Sequence, residues 1–111
     1  MAQDFERTLT KDIDASLADI RAAADSDDAI VGIRLANTTT SSIDVDVAVT
    51  DNSNNVTAYI IKGAPLPAGS SLELIDGGAK IVLQSGDKLR AKSTATDSLD
   101  VIVSAVDSIS T

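Results

Sequence analysis

The clearest pattern lies at residues 43–50, where Ile43, Val45, Val47 and Val49 alternate with Asp44, Asp46, Ala48 and Thr50. Period two predicts a strand with one buried face and one wet face, because helical spacing would scatter the same residues around a cylinder. Residues 29–36 predict a strand with Val31, Ile33 and Leu35 inward. The polar run 37–42 (NTTTSS) then reads as the turn of an antiparallel hairpin. Residues 51–55 (DNSNN) form the next loop, and 56–62 a further strand centred on Tyr59, Ile60 and Ile61. In 63–69 (GAPLPAG) two prolines remove backbone donors, which predicts an extended crossing or corner and excludes a central strand.

Alternation resumes at 71–75 and breaks at the turn 76–78 (DGG). A short strand at 80–84, a tight turn at 85–87 and a strand at 88–93 follow, the last with Leu89 and Ala91 on one face. After a loop at 94–98, residues 99–106 close the set with Leu99, Val101 and Val103 inward. At the N-terminus, Phe5, Arg7, Leu9, Lys11 and Ile13 alternate with Glu6, Thr8, Thr10 and Asp12, so 4–13 predicts a strand. Ile13, Leu17, Ile20 and Ala24 sit at helical spacing and Asp14 can cap a helix, so 17–23 fits either helix or strand.

Short strands separated by Gly, Asn, Asp and Pro turns predict an all-β fold, a sandwich or barrel, of which an antiparallel β-sandwich of about eight strands is the expected form. Residues 1–28 form an N-terminal strand or arm, extended or with a short helix, able to join the sandwich. Residues 29–111 form its core.

Composition narrows the chemistry. The 111 residues include one Phe, one Tyr and no Trp, so the core is built from Ile, Val, Leu and Ala. With no Cys there are no disulfides, thiolate nucleophiles or thiolate metal sites, and with no His the commonest general base and metal ligand are missing. The net charge of −8 repels nucleic acid phosphates and anionic membranes, so neither is an expected partner. No run is apolar enough to span a bilayer, and the N-terminus does not read as a signal peptide.

The remaining polar groupings favour ordinary surface roles. Asp25, Asp27 and Asp28 cluster, Asp44 and Asp46 share a strand face, and 51–55 offers further oxygens. None matches a calcium-loop spacing, so no metal site is expected. Glu73 and Asp76 have no aromatic platform on which a sugar would stack. Ser70 and Ser71 with Lys80 read as turn formers rather than a nucleophile with its base, and Gly77 and Gly78 make no phosphate cradle. Arg7, Lys11, Arg21 and Arg34 are spread among acids, as surface ion pairs or interface contacts. No catalytic residue and no cofactor is expected. The candidate interface residues are Pro65, Leu66 and Pro67, a preordered apolar edge with Leu66 as anchor, together with Tyr59 and Phe5, the two aromatic side chains.

Residues 31–39 (VGIRLANTT), 59–62 (YIIK), 64–74 (APLPAGSSLEL), 78–87 (GAKIVLQSGD) and 100–104 (DVIVS) together resemble a family of small virion structural proteins of tailed bacteriophages, especially phages of aquatic bacteria. The resemblance covers about the last two-thirds of the chain and rests on strand-and-turn motifs. It implies a jelly-roll sandwich and a non-enzymatic role in decorating and cementing a capsid. It also implies a homo-oligomer, a trimer, bound to the major capsid protein on the capsid exterior after assembly in the host cytoplasm. A neck, tail or head-fibre-base protein of the same virion is the nearest alternative. A small calcium- or carbohydrate-binding sandwich module is the alternative from another class.

Overall fold

A computed structural model describes residues 4–21, 27–51, 53–74 and 81–107. Nine strands lie among them: β1 (Asp4–Ile13), β2 (Ala18–Arg21), β3 (Asp28–Asn37), β4 (Ile43–Asp51), β5 (Val56–Leu66), β6 (Ser71–Glu73), β7 (Ile81–Leu83), β8 (Asp87–Ser93) and β9 (Leu99–Asp107). All pairings are antiparallel. One sheet runs β1-β9-β3-β6, with β7 also on β3, and the other runs β2-β8-β4-β5. This is the strand order of a jelly roll, and the short β7 is the addition that takes the count to nine.

The core is aliphatic, as composition requires. Ile20, Ile30, Ile33, Leu35, Val45, Val47, Leu83, Leu89, Leu99, Val101 and Val103 are fully enclosed between the sheets. In β4, β8 and β9 the inward side chains follow the pleat, so every second one enters the apolar layer between the sheets.

Four local expectations change. Residues 29–36 and 43–50 are not a hairpin: β3 and β4 lie in opposite sheets, and 38–42 crosses the sandwich. Each strand already has both edges occupied, β3 by β9 and by β6 with β7, β4 by β8 and β5. Alternation looks the same for a paired neighbour and a facing one, so the pattern did not separate them. Buried Asn37 holds the crossing. Its Nδ2 donates to the Ser41 carbonyl at 2.8 Å and the Leu66 carbonyl at 2.9 Å, while its Oδ1 accepts from the Thr39 amide at 2.9 Å.

Val31 is exposed, whereas Ile30 is buried. The register passes from Ile30 opposite Ala105 to Gly32 opposite Ser104, so Val31 is the extra residue of a β-bulge and the inward phase shifts by one.

The wet face of 43–50 is partly dry, since Asp46, Ala48 and Thr50 are buried along with Val45 and Val47. Asp46 is sheltered by its neighbours: its Oδ1 accepts the Gly63 amide at 2.7 Å, and its Oδ2 lies 3.7 Å from Lys62 Nζ and 3.8 Å from Lys92 Nζ. Gly63, at φ 66°, takes the left-handed conformation at a bulge in β5 that brings its amide to Asp46. A second bulge beside Tyr59 lets Ile60 and Ile61 both pack against the core.

Where 17–23 fitted helix or strand, residues 18–21 are strand, placed by Ala18 opposite Ala91 and Arg21 opposite Leu89. Residues 22–23 lie outside the described part. Beyond Lys62, the expected corner continues as strand to Leu66. Pro65 is tolerated there because β5 is an edge strand, paired with β4 alone among the described strands.

Candidate interaction face

On β1 the apolar side chains ahead of Ile13 point away from the core, which Ile13 itself enters. Phe5 is 86% exposed and Leu9 60%, while Glu6 and Thr8 turn toward the opposite sheet. The reason is Arg21 on β2. Its Nη2 reaches Glu6 Oε1 at 2.9 Å and Asp28 Oδ2 at 2.9 Å, its Nε reaches Asp28 Oδ2 at 3.1 Å, and its Nη1 reaches Thr8 Oγ1 at 3.3 Å. One guanidinium thus ties β1 and β3 of one sheet to β2 of the other. Burial works against its charge, but hydrogen bonds to Glu6 and Asp28, with their negative charge, outweigh this and raise its pKa above the ordinary value. With that polar row turned inward, the period-two geometry puts Phe5, Arg7, Leu9 and Lys11 outward.

The outward residues continue across the sheet. Leu9 pairs with Ile102, which pairs with Arg34. Arg7 pairs with Ser104, which pairs with Gly32. Phe5 pairs with Val106, which pairs with Ala29, and Ala29 with Val82. Apolar ridges therefore flank a valley of small residues. A surface groove of about 470 Å³ opens beside Leu9, Lys11, Arg34, Asp100 and Ile102. Arg34 Nε lies 3.6 Å from Glu73 Oε1, and Glu73 Oε2 accepts the Ile33 amide at 2.9 Å. The face thus combines apolar side chains with cations, a composition suited to contact with another macromolecule.

The other interface candidates do not join Phe5. Tyr59 and Pro65 lie on β5, at the far edge of the second sheet, whereas β2 is the strand that meets β1 across the sandwich. Tyr59 is partly exposed, with Lys62 Nζ 4.3 Å from its ring centroid. Pro65 and Pro67 are exposed. Leu66 is only 2% exposed and packs in the core, so its side chain is not available as a surface anchor.

The polar groupings are dispersed as well. Asp28 is taken up by Arg21, Asp44 is exposed, and Asp46 sits between lysines. Asp51 Oδ1 accepts the Ser53 amide at 3.0 Å and its Oδ2 the Asn54 side chain at 2.9 Å, a self-contained turn. Ser70 Oγ donates to the Pro67 carbonyl at 2.6 Å, as a turn former does. Asp25, Asp76, Gly77, Gly78 and Lys80 lie outside the described residues. Among the described residues no group of three or more carboxylates is placed to hold a metal ion. The Arg21 clasp and the Asn37 staple were missed from sequence, since neither stands in a motif. The one available signal was an arginine inside an otherwise small and apolar run.

No family model matches this chain, and no curated protein does. Solved structures match in fold. The VP2 subviral particle of infectious bursal disease virus superposes with a TM-score of 0.58 at 10% identity, over 96% of this chain and 33% of that one. This chain therefore spans about a third of that coat protein's length. A subunit of the Bacillus endospore appendages, described as disulfide-linked pili, gives 0.56 at 18% identity over 98% and 88% of the two chains. A pentameric capsid protein from metagenomic phage sequences gives 0.48 at 17% identity over 90% and 60%. The chain is a jelly-roll sandwich, and the likeness to these proteins is one of fold.

Proposed function

We propose that this protein is a non-enzymatic virion structural protein that binds the outside of a tailed-phage capsid and stabilises it. The observation that carries this reading is the outward face of β1 and β9. A strand that turns Phe5 and Leu9 to solvent while Glu6 and Thr8 face Arg21 is built to be covered by something else. The jelly-roll fold, shared with a viral coat protein, and the motif resemblance to small phage virion proteins support the same reading. The cation-bearing apolar face is the contact we assign to the major capsid protein, and Tyr59 with Pro65 and Pro67 forms a second candidate contact at the opposite edge. The resemblance implies three copies in each unit.

Quantitative mass spectrometry of purified particles of the encoding phage tests the reading. A copy number approaching that of the shell protein supports decoration, as does a lower heat resistance of particles stripped of this protein. A count suited to one small ring moves the protein to the neck or tail, and absence from the particle overturns the proposal.

A further inference from the structure

Each sheet has two edges, and they are not alike. β5 is interrupted by two bulges and carries Pro65 and Lys62. β2 has four residues, and β6 and β7 have three each. These are the ordinary ways of blunting an edge against unwanted pairing. β1 differs: it pairs with β9 without interruption from Asp4 to Thr10, and among the described residues no strand lies on its other side. It is also the edge that exposes Phe5 and Leu9.

Charge separates β1 from the ends of the molecule. The chain carries −8 overall. One end of the sandwich gathers Asp12, Asp14 and Asp97, where the Asp97 amide donates to Asp14 Oδ1 at 2.8 Å. At the other end Asp51 and Asp87 face each other in register. Like-charged ends oppose end-to-end stacking. Along β1, by contrast, the charges are mixed, with Arg7 and Lys11 among Asp4, Glu6 and Asp12.

We infer that two copies of this chain associate through antiparallel pairing of their β1 edges, which joins the two β9-containing sheets into one across a two-fold axis. Such a contact is self-complementary because the same edge serves both copies. The charges also choose the register. Centring on Arg7 sets arginine against arginine, and centring on Leu9 sets Arg7 against Lys11 and Glu6 against Asp12. Centring on Thr8 sets Arg7 opposite Leu9, Glu6 opposite Thr10 and Phe5 opposite Lys11, and its one like-charged pairing, Asp4 with Asp12, falls where β1 bulges between Thr10 and Ile13 and leaves the regular ladder. This pairing goes beyond the capsid reading and departs from the trimer that the resemblance implies.

Sedimentation equilibrium on the purified full chain tests it without any shell. The expected mass is that of two 11.4 kDa chains. Leu9→Lys places a lysine opposite Arg7 of the other copy and is expected to weaken the dimer about tenfold or more. Leu9 is exposed, so the variant keeps its strand-dominated circular dichroism. Adding Arg7→Glu restores opposite charges and is expected to restore the dimer. A monomeric wild type, a mass of three chains, or a Leu9→Lys dimer of unchanged affinity would each overturn the pairing. Failure of capsid binding alone would count against the function proposed above and leave the dimer intact.

Discussion

Replacing Arg21 by alanine removes the one side chain that bonds Glu6, Thr8 and Asp28 together. The Arg21 side chain is 11% exposed and that of Asp28 1%, so this is a desolvated ion pair rather than a surface one. Removing one partner of a buried pair costs about 3–5 kcal/mol, because the remaining charge stays in a poorly solvated place. The exposed link to Glu6 adds little to that sum. With a urea m-value of about 1–3 kcal/mol/M for a domain of this size, the denaturation midpoint is expected to fall by roughly 2 M. Urea titration followed by circular dichroism measures it directly. The companion variant Arg21→Met with Asp28→Leu removes both charges and is expected to recover most of the loss, since apolar replacement of a buried pair is often neutral or stabilising. A double-mutant cycle then isolates the coupling. A loss under about 1 kcal/mol for Arg21→Ala, or a double variant as weak as the single, would refute the reasoning that the pair is buried and that its charges depend on each other. Because Arg21 also sets the orientation of β1, the single variant is expected to weaken self-association alongside stability.

Two further outcomes follow from the loops. Asn37→Ala removes the buried amide that serves the Ser41 and Leu66 carbonyls, and is expected to cost about 1–3 kcal/mol in the same urea assay while Asn37→Asp fails to rescue it. Asp97 has its pKa raised, first by its side-chain hydrogen bond with Asp14 and then by the charges of Asp14 and Asp12. A carboxyl raised in the folded state stabilises the fold below its unfolded pKa, and that contribution is lost as pH rises through the folded value. Asp97→Asn is therefore expected to raise Tm at pH 7, with the gain vanishing as the solution is acidified below about pH 4. Asparagine also tolerates the φ of 50° at this position, and a lower Tm for the variant at neutral pH would refute the account.

The sequence by itself determined the class of fold and most of the core. Period-two alternation depends only on the pleat, so the inward faces of 43–50, 88–93 and 99–106 could be read before any partner strand was known. Proline chemistry likewise kept 63–69 away from the centre of a sheet. What only the tertiary structure decided was which strands pair, because a strand looks the same whether its neighbour lies beside it or across the core. The crossing at 38–42, the bulge that turns Val31 outward and the strand at 18–21 all belong here, since each is settled by contacts distant in sequence. The interaction face was half legible. Phe5 stood out as one of two aromatic side chains, but Leu9, Ile102 and Arg34 joined it only through register. Leu66 moved from surface to core for the same reason: whether a corner leucine is wet or dry depends on how the two sheets close over it, and no local pattern encodes that closure.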